Sequence, residues 1–116
     1  MSSSRHKIPK RFVQFTKHHP AVAAAYDQLG KAVHADGPLS SRERALVKFA
    51  MSAGARLEGG AHAHVRKALE VGVSPADLRH VALLAIPTIG FPASMAAMSW
   101  IDDVLTDAPK RPRRRS

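Results

Sequence analysis

The sequence has no cysteine among its 116 residues. It therefore cannot form a disulfide framework, a thiol nucleophile or a thiolate metal site. Aromatic residues are also few, with one Trp, one Tyr and four Phe, and none of them lies in residues 108–116, where one could stack on a nucleic-acid base. These absences exclude thiol redox chemistry and leave histidine, which occurs seven times, as the side chain best suited to acid–base chemistry.

Acidic residues are scarce, with nine Asp and Glu against 18 Lys and Arg, so the formal charge is +9. The excess of positive charge lies at the two ends of the chain. Residues 1–11 contain four Lys or Arg and residues 108–116 contain five, whereas residues 12–107 have no net charge. We expect a helical domain over 12–107 between two basic, disordered tails. The tails either only solubilise the protein or make a weak, salt-sensitive contact with a polyanion through the last arginines, Arg113, Arg114 and Arg115.

The N-terminal residues carry positive charges but no apolar segment behind them, so a secretory signal is not expected and the cytoplasm is the default location. Residues 81–101 contain no charged residue, and a segment of that length could cross a membrane. Pro87, Gly90 and Pro92 interrupt the segment, however. Two buried helices with a turn between them explain it better than a membrane span.

Apolar residues recur at three- and four-residue spacing through most of residues 12–107, without strand-like alternation. Ser40 precedes Glu43 by the spacing of a capping box, which predicts the start of a helix. Gly72 and Ser74-Pro75 predict a helix end and a new helix start. We therefore predict an all-α, single-domain bundle of about six helices. Because alanine dominates the apolar faces, the core should be thin, which favours burial against other subunits.

His64 lies on the apolar face of a predicted helix, together with Leu57, Ala61, Val65 and Ala68. Two explanations fit this position. His64 is either a core histidine whose ring bonds to a carbonyl or carboxylate, or a partly desolvated imidazole that can move a proton.

His62 lies two positions before His64, about 200° around the helix, and should be more exposed. Glu58 precedes His62 by four residues, so the two can form a surface pair. Histidines two apart on a helix point away from each other, and the sequence shows no third ligand near them. We therefore expect no metal site, and a solvated His62 is the alternative to a functional one.

Three segments, residues 37–47, 53–75 and 89–93, make the chain similar to the carboxymuconolactone decarboxylase and alkylhydroperoxidase-D-like superfamily. The resemblance extends from residue 37 to about residue 105. It implies an all-helical, alkylhydroperoxidase-D-like fold and a homo-oligomer, either a trimer or a hexamer.

The thiol branch of this superfamily uses a Cys-x-x-Cys pair whose second cysteine lies four residues before a histidine. Counted back from His64, the two thiol positions fall on Leu57 and Gly60, and the assisting glutamate falls on Ala45. A thiol peroxidase is therefore excluded on chemical grounds. Glu43 is the nearest acid, and its alternative role is that of a capping residue.

The resemblance then implies the decarboxylase branch, whose substrates are small carboxylated lactones. A cofactor-free, metal-free lyase acting on such a lactone or a related organic acid needs a proton donor and a cation. His64 is the candidate proton donor and acceptor, with Glu43 and Arg56 as further catalytic candidates, Arg56 to hold the departing carboxylate. His62 and Glu58 are the expected substrate-binding residues. The alternative is a non-catalytic oligomeric member that binds a small ligand or a partner.

Overall fold

A computed structural model describes residues 8–107, and all regular secondary structure in that range is helical. The predicted all-α class is confirmed, with six longer helices and one helix of four residues. In chain order the helices are α1 (Lys10–His18), α2 (Pro20–Ala35), α3 (Ser41–Gly54), α4 (Glu58–Glu70), α5 (Pro75–Leu84), α6 (Ile86–Ile89) and α7 (Phe91–Thr106).

Two capping boxes fix the starts of α3 and α5. The Glu43 N–H donates to Ser40 Oγ over 3.1 Å, and the Ser40 N–H donates to Glu43 Oε1 over 2.8 Å. Ser74 and Asp77 repeat this exchange over 3.0 and 3.1 Å. Each box satisfies backbone N–H groups that a helix start otherwise leaves without a partner. Both predicted helix starts are therefore confirmed.

Two predicted boundaries differ from the structure. Pro87 was expected to interrupt the segment 81–101, but α5 ends earlier, at Leu84, and Pro87 lies in the first turn of α6. A proline is tolerated there because the first N–H groups of a helix have no intrahelical partner. At the N-terminus, α1 begins at Lys10, so helical structure starts two residues before the expected domain boundary at residue 12.

The uncharged segment 81–101 is divided among α5, α6 and α7, with Gly90 at φ 109° between the last two. This positive φ is one that glycine adopts easily and other residues rarely do. Among the described residues, 8–107, no helix is long and apolar enough to cross a membrane.

The core lies where α3, α4, α5 and α7 meet. Its large members are fully buried, and alanines fill the spaces between them, so the helices approach closely. The buried core residues are Phe49, Ala53, Ala61, Val65, Ala68, Val73, Leu78, Ala82, Ala97, Ile101 and Val104.

The first two helices pack chiefly against each other and bury no residue in the single chain. Their apolar side chains follow the predicted helical spacing, yet they face outward. Tyr26 is 72% exposed and Val33 is 62% exposed. We call α1 and α2 together the helical hairpin; its large exposed apolar residues are Phe12, Val13, Phe15, Val22, Tyr26, Leu29 and Val33.

Candidate functional site

His64 lies in the middle of α4, half-buried beside the fully buried Ala61, Val65 and Ala68. Burial is the main reason that its pKa falls to about 4, and repulsion from nearby basic groups, Lys48 first, lowers the pKa further. The imidazole is therefore neutral at neutral pH. Within residues 8–107 no group hydrogen-bonds the His64 ring. The explanation that His64 is a core histidine satisfied by a carbonyl or carboxylate is thus not supported.

Basic side chains from three helices gather beside His64. Lys48 Nζ of α3 lies 2.7 Å from His34 Nε2 of α2. Because an ammonium group can only donate, His34 Nε2 accepts this bond and the ring carries its proton on Nδ1. Lys67 of α4 lies one turn beyond His64. We call His34, Lys48, His64 and Lys67 the cationic cluster.

The pKa values of the cluster reflect mutual repulsion as well as burial. The charge of Lys48 is the main cause of a lowered His34 pKa. Burial, followed by repulsion from Lys67 and Arg44, lowers the pKa of Lys48 itself. In the described part of the chain, no carboxylate forms an ion pair with Lys48. The cluster therefore carries positive charge without a balancing acid, an arrangement that attracts anions.

Sequence reasoning missed His34 and Lys48. They lie 14 residues apart, and only the packing of the end of α2 near α3 brings them together. One signal was present: Lys48 lies at helical spacing from Ala45 and Ser52, between positions that face the protein body. A lysine on such a face is unusual, because lysine is rarely buried without a partner.

His62 is not the solvated residue that its position predicted. Its side chain is only 12% exposed, and Nε2 lies 3.0 Å from Asp103 Oδ2. The expectation of high exposure was wrong because α7 packs against this side of α4. The predicted pair with Glu58 is present at 3.9 Å.

The ligand atoms of Glu58, His62 and Asp103 all lie within 4.8 Å of one another. These are donor types that a divalent cation can use, although hydrogen bonding and charge alone account for the observed contacts. The sequence showed no third candidate ligand because Asp103 is 41 residues from His62 in the chain. The group is separate from the cationic cluster in its chemistry, since two of its members are acids.

The other predicted residues lie in neither group. Glu43 is exposed, and the hydrogen bonds of its capping box with Ser40 lower its pKa. Arg56 lies in the turn before α4, exposed and at φ 64°. Neither Glu43 nor Arg56 is among the charges that shift the pKa of His64.

The two positions that correspond to thiols in the resemblance both lie at the start of α4. Leu57 is the residue just before the helix, and Gly60 is in its first turn. Leu57 was predicted on the buried face, but it is 57% exposed. A residue that precedes the helix does not follow the helical face that its spacing predicts.

The comparisons with known proteins identify one family. Its model, described as the carboxymuconolactone decarboxylase family, matches residues 20–103, which is most of the chain and includes α2 to α6 and most of α7. Comparison with the curated proteins gave no match, and neither did comparison with the solved structures. The matched residues include all four members of the cationic cluster. Because the match covers most of the sequence, the chain belongs to the carboxymuconolactone decarboxylase family.

Proposed function

We propose that the protein is a cofactor-free lyase that removes CO2 from a small carboxylated lactone or a related organic acid. The observation that carries this proposal is a half-buried, neutral imidazole without a protein hydrogen-bond partner in residues 8–107, placed among basic groups in a chain of this family. A carboxylate substrate is the kind of ligand that such a site attracts. Thiol chemistry is excluded, because Leu57 and Gly60 occupy the thiol positions.

His64 acts in this proposal as the proton donor. In the empty site, burial and nearby positive charge keep its pKa near 4. A bound carboxylate offsets that positive charge and raises the pKa of His64, so that the imidazole takes up a proton from solvent as substrate binds. The site thus gains its proton when the substrate arrives.

The proposed reaction then balances without a redox partner. The bond between the carboxylate carbon and the ring carbon breaks, and CO2 leaves. The electron pair remains on the ring, where conjugation with the lactone carbonyl spreads its charge and the nearby cations stabilise it. The His64 imidazolium gives its proton to carbon and returns to the neutral form.

The structure supports the predicted roles of Glu43, Arg56, His62 and Glu58 less well than that of His64. Glu43 is held in a capping box, and Arg56 is exposed in a turn, so a direct catalytic role for either is the weaker part of the proposal. His62 and Glu58 contact each other and Asp103. His62 lies about 200° around α4 from His64, so a substrate-binding role for His62 and Glu58 is also a weaker part of the proposal.

The reaction can be tested by incubating the full-length protein with a carboxylated muconolactone in D2O. We expect loss of substrate, release of one CO2 for each product, and incorporation of one deuterium at carbon. Release of CO2 without deuterium at carbon would contradict carbon protonation by an exchangeable group. No turnover at all would leave the second candidate function.

That second candidate is a non-catalytic oligomer that binds a small ligand or a partner. It is favoured by the exposed apolar surface of the helical hairpin and by the non-thiol residues at positions 57 and 60. Under either function we propose a cytoplasmic homo-oligomer, a trimer or a hexamer, that covers this surface. Sedimentation velocity would distinguish these states from a monomer. The polyanion contact predicted for Arg113, Arg114 and Arg115 falls outside the described residues.

A further inference from the structure

We propose that Lys48, held by His34, is the carboxylate-binding residue of the site. The proposal names the part of the substrate that this subsite takes, and so it rests on the proposed lyase function for its biological meaning. Anion binding itself can be measured without turnover. The sequence had assigned the carboxylate to Arg56 instead.

The hydrogen bonds of Lys48 leave donors available for an anion. Its ammonium group has three N–H donors, and one of them points to His34 Nε2 at 2.7 Å. No carboxylate within residues 8–107 takes either of the other two. Lys48 is also half-buried, and a charge-assisted hydrogen bond gains strength where water is partly excluded.

The charges nearest to Lys48 are positive, so the site should bind an anion and not a cation. Lys67 and Arg44 act on Lys48 with the same sign of charge, and His64 feels the repulsion of Lys48 and Lys67. The acids that form ion pairs elsewhere have their own partners: Asp27 with Lys31, Asp77 with Arg42, and Asp102 with Arg79. Without an anion the positive charges of Lys48, Lys67 and Arg44 repel one another, so an anion binds there with relief of that repulsion.

Lys48 is better placed than Arg56 for this task. The charge of Lys48 is the largest electrostatic influence on His64, so a carboxylate on Lys48 lies where its charge can act on the proton donor. Arg56 lies in an exposed turn and is not among the charges that shift the pKa of His64. An exposed arginine also gains less from an ion pair than a partly buried lysine does.

His34 is a positioning residue in this account. It accepts a hydrogen bond from Lys48 and so limits the rotamers of a flexible side chain. Because His34 belongs to α2, it also links the helical hairpin to the site. A substitution that keeps an acceptor, His34→Gln, should therefore preserve binding better than His34→Ala.

The test is a titration of the full-length protein with succinate, a small organic dicarboxylate, followed by the NMR signals of the histidine imidazoles. Succinamide has the same shape without the charge and serves as the ligand control. Lys48→Met removes the charge and keeps most of the side-chain volume, whereas Lys48→Arg keeps the charge. Lys31→Met is the matched protein control, because it also removes one positive charge, from a lysine that is exposed and paired with Asp27.

We expect saturable binding of succinate by the parent, with a shift of the His64 signals, and no binding of succinamide. Loss of a charge-assisted hydrogen bond should weaken succinate binding about tenfold or more in Lys48→Met, while Lys31→Met stays within about twofold of the parent because exposed charges contribute little. Lys48→Arg should retain most of the affinity. In the unliganded protein, Lys48→Met should also raise the pKa of His64, because one source of repulsion is removed. Circular dichroism verifies separately that the variant has folded.

Three results would overturn the proposal: no saturable succinate binding by the parent, equal binding of succinamide, or parent-like affinity in Lys48→Met. These results are distinct from failure of the lyase function. If the parent binds succinate through Lys48 but releases no CO2 from a carboxylated muconolactone, the carboxylate subsite is supported and the lyase function is contradicted. If the parent releases CO2, and Lys48→Met changes neither the rate nor the KM, the lyase function is supported and the role of Lys48 is contradicted.

Discussion

A Cβ atom placed on Gly60 lies 3.6 Å from the Cβ atom of Leu57. This distance falls within the range of about 3.5–4.5 Å that disulfide-bonded cysteines show. The backbone at the start of α4 can therefore accommodate a Cys-x-x-Cys pair, although this chain has Leu57 and Gly60 at those two positions.

The first prediction follows from that geometry. The double variant Leu57→Cys/Gly60→Cys should form an intramolecular disulfide under mild oxidation, because the added Cβ meets only ordinary van der Waals contacts, with Leu57 and Ser52. Closing so short a loop should stabilise the fold by at most about 2 kcal/mol. Thiol titration and thermal melts with and without reductant measure both effects. The single variants Leu57→Cys and Gly60→Cys are the controls, and two free thiols after oxidation of the double variant would contradict the geometry.

The second prediction concerns pH and stability. The pKa of His64 is 6.5 in the unfolded reference and about 4 in the folded chain, so the unfolded state binds more protons between these values. Stability should therefore rise with pH from about 4 to 6.5 and be lost as pH falls through that window. His34, whose pKa is also lowered, contributes with the same sign.

Urea unfolding at several pH values measures this dependence. His64→Gln should flatten the slope between pH 4 and 6.5 without abolishing it, since His34 remains. His80→Gln is the matched control, because His80 is exposed on α5. A slope in His64→Gln equal to that of the parent would show that His64 is not held neutral by the fold.

The third prediction separates the two roles of Glu43. Its Oε1 accepts the Ser40 N–H over 2.8 Å, and a glutamine can accept the same bond but cannot act as an acid or base at neutral pH. We expect Glu43→Gln to keep both stability and turnover, whereas Glu43→Ala should lose about 1 kcal/mol of stability through the broken cap. Melts and the decarboxylation rate decide between the roles. A fully folded Glu43→Gln that has lost turnover would make Glu43 catalytic.

The fourth prediction concerns the contact between His62 and Asp103, which joins α4 to α7. Asp103→Asn should lower the free energy of unfolding by up to about 1 kcal/mol, as for other partly exposed pairs. Asp102→Asn, which breaks the exposed contact with Arg79 at 2.7 Å, should cost less, because neither of its side chains is as buried as His62. A double-mutant cycle with His62→Ala measures the coupling. Zero coupling would mean that the contact at 3.0 Å does not hold the helices together.

Local features of the sequence were sufficient for much of the fold. Ser40 and Ser74 start helices because their capping partners lie three residues away, and Gly72, at φ 93°, ends one. Such signals involve neighbours in the chain and are visible without a structure. Local signals do not show which face of a helix other parts of the protein cover. The helical hairpin has a well-formed apolar face, yet that face is exposed in the single chain because nothing in local spacing specifies its partner.

The candidate site also has one part that the sequence predicts and another part that it does not. His64 could be found because its helical spacing places it with buried residues. Lys48–His34 and His62–Asp103 could not be found, because each pair joins different helices across 14 and 41 residues. Their distances depend on tertiary packing, which a single sequence does not reveal. The error on the exposure of His62 has the same origin, since α7 covers it.

The most direct test of the central claim is the rate of CO2 release from a carboxylated muconolactone by the parent and by His64→Ala, with circular dichroism to verify that the variant is folded. The account predicts turnover by the parent and a loss of about 100-fold or more in the folded variant, the usual contribution of a positioned acid. A folded His64→Ala that releases CO2 at the parent rate would contradict the account.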